Sequence, residues 1–180
     1  MEQEFMIGGK LCRIGRLLGH GKGGYSYLAT WDGRETVLKQ IHHEPCSYYT
    51  FGDKIAAESN DYRRLKNAGI RIPEMLALDT ERERILKEYV RGRTIFEMVR
   101  DGEDVSPCIA EVREMAEQAR ASGLNIDYFP TNFVVQDGHI WYVDYECNNY
   151  MEEWNFEIWG IKYWSRTPEF EEYLRTHQDS

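Results

Sequence analysis

From Lys10 to Ile41 short apolar runs alternate with glycine-containing turns. Leu11 to Leu18, Tyr25 to Thr30 and Thr36 to Ile41 are separated by Gly19-His20-Gly21-Lys22-Gly23-Gly24 and by Trp31-Asp32-Gly33, a pattern that predicts antiparallel strands. Asp32-Gly33 supports the second turn, because Gly tolerates the positive φ of a tight hairpin. The period then changes. Asp53 to Lys66 contains no Gly or Pro, and Ile55, Ser59, Tyr62 and Leu65, with Ala56 beside them, recur at helical spacing. Two further strands, Glu74 to Asp79 and Arg84 to Val90, flank the polar turn Thr80 to Glu83.

Beyond Arg91-Gly92 the text becomes mostly helical. Thr94 to Arg100 and Ala110 to Ser122 predict helices, the second with Val112, Met115, Ala116 and Ala119 on one side and Gly123 as its stop. Phe133 to Val143 is the clearest hairpin, two apolar strands around Asp137-Gly138. Thr167 as cap and Pro168 at the first helical position start a last helix that runs to Arg175. Before it lies an aromatic stretch, Tyr150, Trp154, Phe156, Trp159, Tyr163 and Trp164. On a helix, Phe156, Trp159 and Tyr163 share one face, as core residues do. The other reading is a stacking wall for a small polar or cationic acceptor, with Glu146, Glu152 or Glu153 attracting a positive group. The expected organisation is α+β in two lobes, residues 1–90 built on an antiparallel sheet with one helix and residues 91–180 mostly helical.

The 180 residues and 42% hydrophobic content are enough for one globular domain or two small lobes. A formal charge of −9 argues against a sequence-independent grip on nucleic acid, which needs clustered cations, and Arg63-Arg64 reads as a solvated helix face. Cys12, Cys46, Cys108 and Cys147 form no C-x-x-C pair, so they read as free thiols of a reducing cytosol. Met1-Glu2-Gln3-Glu4 is acidic where a signal peptide is basic, and no apolar run approaches the roughly 20 residues of a membrane span. The expectation is a cytoplasmic protein with neither membrane nor nucleic acid as partner.

The candidate chemistry starts at the glycine run. It lies between two strands, so it forms a flap in a hairpin and not the strand-to-helix turn of a dinucleotide fold, which favours ATP over NAD. A plain flexible turn is the alternative. Fifteen residues after Gly24 comes Lys39, with Val37 on one face of its strand and Leu38 on the other. A Lys in an apolar strand is costly to bury without an acid, unless it sits on a solvent-facing edge. Glu58, on the helix, is the candidate acid, or else one more carboxylate on a charged face. Farther on, the Phe133 to Val143 hairpin folds the chain back and sets Asn132 and Asp144 side by side at its open ends. These are two hard oxygen ligands for a magnesium ion that bridges ATP phosphates, or two ordinary hairpin-end residues.

Taken in order, the glycine run, Lys39, Glu58, Asp127, Asn132 and Asp144 resemble the protein-kinase-like superfamily over roughly Leu11 to Glu146. The similarity is closer to its small bacterial members and to the aminoglycoside and choline phosphotransferases than to the large eukaryotic kinases. The segment Glu58 to Pro73, with Leu65, Gly69 and Ile70, looks like the run from helix to strand in those small enzymes. The resemblance implies a minimal bilobal kinase-like fold with a reduced C-lobe. It also implies that Gly19, Gly21 and Gly24 cradle the phosphates of ATP, and that Lys39, paired with Glu58, meets the same phosphates. Ile85-Leu86-Lys87-Glu88-Tyr89-Val90-Arg91-Gly92 is similar to the hinge, with backbone at Glu88 and Val90 on the adenine. Asn125-Ile126-Asp127-Tyr128-Phe129-Pro130-Thr131-Asn132 matches the H-R-D-x-x-x-x-N pattern at its Asp and Asn, which makes Asp127 the base and Asn132, with Asp144, the holders of Mg2+.

The chain also departs from the family. Asn125 stands for the usual His, Ile126 for the Arg, and Phe129 for a basic residue, while D-F-G reads Asp144-Tyr145-Glu146. The implied activity is transfer of the γ-phosphate of ATP to a hydroxyl of a small molecule or a protein. The alternative is an inactive, nucleotide-binding pseudokinase that acts as a regulatory module, and the departures at Asn125 and Phe129 favour it.

Overall fold

The computed structural model describes residues 3–21, 23–43 and 53–177. Lys22 of the glycine run, Cys46 and the first two residues of the acidic start lie outside the described residues. The chain is α+β and divides into two compact units, Met1–Asn60 with Pro73–Tyr89, and Asp61–Ile72 with Val90–Ser180. The resemblance of Ile85 to Gly92 to a hinge implies one boundary near Arg91-Gly92; the structure adds that the stretch 61–72 belongs with the second unit. Leu65, Ile70 and Ile72 are buried, the Arg71 carbonyl accepts from the Tyr142 N–H at 2.9 Å, and the Arg71 guanidinium pairs with Glu111 at 3.1 Å.

In the first unit six strands make one antiparallel sheet. They are β1 (Glu4–Ile7), β2 (Lys10–His20), β3 (Gly24–Trp31), β4 (Arg34–Ile41), β5 (Met75–Asp79) and β6 (Arg84–Glu88), in the order β1-β2-β3-β4-β6-β5. Strand β1 goes beyond the sequence pattern, because four residues are too few for alternation to stand out, although Phe5 and Ile7 point inward and Met6 outward. The sheet curls until a Cβ added to Gly8, in the β1–β2 turn, would lie 2.9 Å from the Ala77 Cβ of β5. Inside the curl Phe5, Ile7, Cys12, Ala29, Trp31, Leu38 and Leu86 form one cluster, and Ile14, Leu76 and Ala77 pack on it. Each of the buried Phe, Ile and Leu side chains among them contributes about 1.5–3 kcal/mol. The one indole N–H in this cluster, that of Trp31, donates to the Ile7 carbonyl at 2.9 Å.

Helix α1 (Lys54–Asn67) begins where the Asp53 carboxylate accepts from the Ala56 N–H at 3.0 Å, and it stops at Gly69, whose φ of 80° only glycine adopts easily. The division between the units falls within this helix, after Asn60.

The second unit holds α2 (Ile95–Arg100), α3 (Ser106–Ala121), β7 (Leu124–Ile126), β8 (Phe133–Gln136), β9 (His139–Tyr142), β10 (Cys147–Asn149) and α4 (Pro168–Thr176). Helix α2 is opened by a capping box between Thr94 and Glu97. Helix α3 starts four residues earlier than the pattern predicts, since Pro107 is tolerated in a first turn and Asp104 accepts from the Ser106 N–H at 3.0 Å. It buries Val112, Met115 and Ala119. Strands β8 and β9 form the expected hairpin, with positive φ at Asp137 and Gly138. Preceding chain joins its edge, the Val135 N–H donating to the Arg93 carbonyl at 3.1 Å, so closely that a Cβ on Gly92 would stand 2.0 Å from the Val135 oxygen. Strands β7 and β10 pair with each other, a contact that three-residue strands far apart in sequence do not announce.

The aromatic stretch does not form the helix that periodicity suggests. It folds as two 3-10 turns, Glu152–Trp154 and Gly160–Tyr163. The Asn155 side chain accepts from the Ile158 N–H at 2.8 Å and diverts the backbone, and Gly160 is pressed against Tyr128. Core packing holds for Phe156 and Trp164, whose rings meet at 5.4 Å, while the Trp164 N–H donates to the Tyr128 carbonyl at 2.8 Å. Among the described residues no helix is long and apolar enough to cross a membrane.

A Cβ at position 160 would lie 2.6 Å from the Tyr128 Cβ and 3.0 Å from a Phe156 ring carbon. Gly160→Ala is therefore expected to lower stability by about 1–3 kcal/mol in urea unfolding; an unchanged midpoint would show that the aromatic core yields at no cost. A second expectation concerns alkali. Burial first, then the nearby Asp61 carboxylate against the opposing Arg64, pushes the Cys147 thiol up to about 12 from its ordinary 9.0. The folded chain then keeps a proton that the unfolded chain releases, so this stabilisation is complete below pH 9.0 and is lost as pH rises towards about 12. Unfolding free energy measured against pH should fall across that window, and the fall should be shallower in Cys147→Ala.

Candidate functional site

In the first unit the glycine run closes a hairpin between β2 and β3. The Gly21 N–H donates to the Gly24 carbonyl at 2.9 Å, and Gly24 pairs with Ile41 of β4. Glycine is sterically required at position 24, where a Cβ would sit 2.6 Å from the Gln40 oxygen and 3.2 Å from the Lys39 Cε. Among the described residues nothing lies within 4 Å of such a Cβ at Gly19, and at Gly21 only the Gly24 oxygen does, at 4.0 Å. Backbone with that much open room admits a ligand's close approach.

Lys39 stands beside this turn. A Cβ placed on Gly23 would be 3.7 Å from its ammonium. Strand β4 lies between β3 and β6, so Lys39 is not on a sheet edge, and its ammonium is met by the Glu58 carboxylate at 2.6 Å. The two side chains are 15% and 13% exposed, dry enough that either charge alone would be unfavourable. Glu58 comes from α1, nineteen residues on. Of the two sequence readings of Lys39, the paired one describes the fold.

At the end of β6 the Glu88 N–H is spent on the Glu74 carbonyl at 2.9 Å, while its carboxylate accepts from the Glu74 N–H at 2.7 Å and from Arg34 at 3.2 Å. Glu88 thus closes the β5–β6 pair, and its amide is no hydrogen-bond donor for a base. Val90, in the second unit, is buried.

The second unit collects Asp127, Asn132 and Asp144 around a residue that the sequence reading passed over. Tyr142 is fully buried at the end of β9, and its hydroxyl accepts from the Asp127 N–H at 3.1 Å and donates to the Glu146 carbonyl at 2.7 Å. Burial, then the charges of Asp144, Asp127 and Glu146, hold its phenol well above the usual range, although the hydrogen bond from the Asp127 backbone acts the other way. A signal did exist. Tyr142 shares the inward alternation of Ile140, and a buried phenol must find polar partners.

Asp127 sits just past β7, where its carboxylate accepts from the Phe129 N–H at 3.1 Å, a short turn that fixes its direction. The Asn132 amide donates to the Asp127 carbonyl at 3.3 Å, which leaves its own oxygen as the acceptor side. The hairpin ladder runs one step past β8, the Val143 N–H meeting the Asn132 carbonyl at 2.9 Å, so Asp144 lies one residue beyond the position that faces Asn132. One Asp144 oxygen accepts from the Tyr145 N–H at 2.8 Å. Tyr145 is buried and packs on Tyr62 of α1 at 4.8 Å. Among the described residues no group of three or more His, Cys, Asp and Glu is gathered for a metal. An amide oxygen with one carboxylate suits a cation that draws its remaining ligands from phosphate and water, the habit of magnesium.

The departures at Asn125 and Phe129 have structural counterparts. Asn125 is buried, and its amide donates to the Met151 carbonyl at 2.8 Å. Phe129 joins an aromatic group, 4.8 Å from Tyr173, 5.2 Å from Tyr163 and 6.1 Å from Phe96, which docks α4 against α2. The position two residues after Asp127 therefore serves packing.

Tyr142→Phe keeps the ring and deprives the Asp127 N–H and the Glu146 carbonyl of their bonds to the phenol. It is expected to lower stability by about 1–3 kcal/mol and to speed amide exchange at Asp127, as denaturant titration and exchange measurements would record. Unaltered exchange at Asp127 would remove Tyr142 from the positioning role.

Neither a scan of protein-family models nor a search of the curated proteins returns a match for this chain.

Proposed function

We propose that this chain is an ATP-dependent phosphotransferase of minimal bilobal, protein-kinase-like build, which moves the γ-phosphate to a hydroxyl of a small molecule or a protein. The observation that carries the proposal is the Lys39 ammonium, held at 2.6 Å by Glu58 and set beside a turn of glycine backbone. A cation fixed by an acid at an open, amide-rich turn is a receptor for phosphate oxygens.

In this reading the first unit grips the phosphates through Lys39 and through the backbone at Gly19 and Gly24, with Gly21, whose N–H is given to the Gly24 carbonyl at 2.9 Å, shaping the turn, while Glu58 keeps Lys39 in place. The second unit supplies Asp127, whose carboxylate accepts the proton of the attacking hydroxyl, a role that contributes roughly 10²- to 10⁴-fold. Asn132 and Asp144 are the residues that would hold Mg2+, which when bound neutralises charge on the phosphates. Tyr142 keeps Asp127 in position through its backbone. Of the hinge residues, Val90 would offer its amide to the adenine, since the Glu88 N–H is engaged by Glu74. The free thiols at Cys12, Cys108 and Cys147 suit a cytoplasmic setting, and the charge of −9 suits neither nucleic acid nor an anionic membrane surface as partner.

A second reading has its own observation. Phe129 is committed to an aromatic cluster two residues from Asp127, where a cation would otherwise offset the charge of the moving phosphate. That favours a module that binds nucleotide, does not transfer phosphate and acts as a regulatory pseudokinase.

Thermal unfolding with and without ATP and magnesium tests both readings, since a ligand at 100 times its dissociation constant stabilises by roughly 2.7 kcal/mol. No shift at millimolar nucleotide would remove both. Transfer of labelled γ-phosphate separates them: Asp127→Asn is expected to lose roughly 10²- to 10⁴-fold in transfer while nucleotide still shifts the melting temperature.

A further inference from the structure

The glycine turn is held by more than its own backbone. His42, just past β4, approaches it from both its main chain and its ring. Its N–H donates to the Gly23 carbonyl at 3.3 Å, and its Nε2 lies 2.8 Å from the Gly21 carbonyl. A carbonyl only accepts, so Nε2 carries the proton. The same ring meets His20 edge-on at 5.3 Å and Tyr25 at 5.2 Å, and these two, opposite each other at the last β2–β3 pair before the turn, stack at 4.3 Å.

His42 is itself fixed from α1. Its carbonyl accepts from the Lys54 ammonium, and Lys54, at the start of that helix, is only 4% exposed. Four residues along the helix, on the same face, comes Glu58, which holds Lys39, and Lys39 ends beside Gly23. The contacts close a circuit from the turn through His42, Lys54 and Glu58 to Lys39 and back to the turn, all within the first unit.

We propose that His42 is the positioning residue of the glycine turn, with Lys54 as its anchor, so that the turn and the Lys39 ammonium are set together by helix α1 before any nucleotide arrives. The proposal rests on the phosphotransferase reading for its purpose, but the staple itself is a property of the free protein. Glycine-rich backbone is conformationally permissive and loses much freedom when a ligand orders it. A turn pinned at Gly21 and Gly23 has already lost part of that freedom, so less binding energy is consumed in ordering it. Lys54 acts on the same turn through one carbonyl, which makes it a second lysine of this unit with a positional role and no direct contact with phosphate.

The test compares His42→Ala, His42→Gln, Lys54→Met and, as control, His43→Ala, whose ring pairs with Glu83 instead. Gln places an amide N–H near the position of imidazole Nε2, so it restores the ring-to-Gly21 bond alone. In the free protein, exchange of the Gly21 amide is expected to speed up about tenfold in His42→Ala and in Lys54→Met. It is expected to stay near the original rate in His42→Gln and His43→Ala. With magnesium and ATP as the probe, the dissociation constant is expected to rise about three- to tenfold in His42→Ala, the effect of one lost hydrogen bond, with the KM for ATP moving and kcat largely kept. Unaltered Gly21 exchange in His42→Ala overturns the staple, whatever nucleotide does. Faster exchange with an unchanged ATP constant overturns its role in positioning. If the unaltered protein binds no nucleotide, the phosphotransferase reading fails, and the exchange rates still decide the staple.

Discussion

A lysine ammonium in the middle of a six-stranded sheet has to be answered by a carboxylate, and most of what the first unit does locally follows from that demand. Strand β4 runs between β3 and β6, so Lys39 has no sheet edge from which to reach water freely. Glu58 answers it at 2.6 Å, which commits the first turns of α1 to lie against that part of the sheet. Once the helix is so committed, Lys54 at its start reaches the His42 carbonyl, and His42 reaches the glycine turn. The Lys39–Glu58 pair thus links the helix, the cation and the glycine turn, and ring packing of His20, Tyr25 and His42 adds to it.

The second unit meets a comparable requirement by a different device. Asp127, Asn132 and Asp144, the residues proposed to act together, come from a loop and from the two ends of a hairpin. The hairpin supplies part of their spacing, through the ladder bond from Val143 to Asn132. The rest comes from a buried phenol: Tyr142 ties the Asp127 backbone to the Glu146 backbone. Both ends of that hydroxyl are used, and its environment of carboxylates and low exposure keeps it protonated, so it stays a donor towards Glu146 at any ordinary pH.

The aromatic residues separate into two kinds of work. Tyr128, Phe133, Phe156 and Trp164 form the fully buried core of the second unit, crowded enough that position 160 admits only glycine. Phe96, Phe129, Tyr163 and Tyr173 form a half-buried seam that joins α2 and α4. That seam accounts for Phe129 on packing grounds.

Local pattern determined much of this protein. Alternation and turn residues marked β2 to β4, the β8–β9 hairpin and α1, because those preferences arise among residues a few positions apart. The unmet charge on Lys39 called for an acid, which the kinase-like resemblance placed at Glu58 and the structure pairs with it at 2.6 Å, and Asp137-Gly138 announced the hairpin whose ends carry Asn132 and Asp144. Other features were decided only by the tertiary structure. The short strands β1, β7 and β10 exist through partners, two of them more than twenty residues apart. The aromatic stretch forms two separate 3-10 turns, with Asn155 accepting from the Ile158 N–H between them and Gly160 pressed against Tyr128. The segment 61–72 joins the second unit through Arg71, Glu111 and Tyr142. In each of these cases a contact across the fold outweighs preferences of a few tenths of a kcal/mol per residue, and such contacts come into being only when the chain has already folded back on itself.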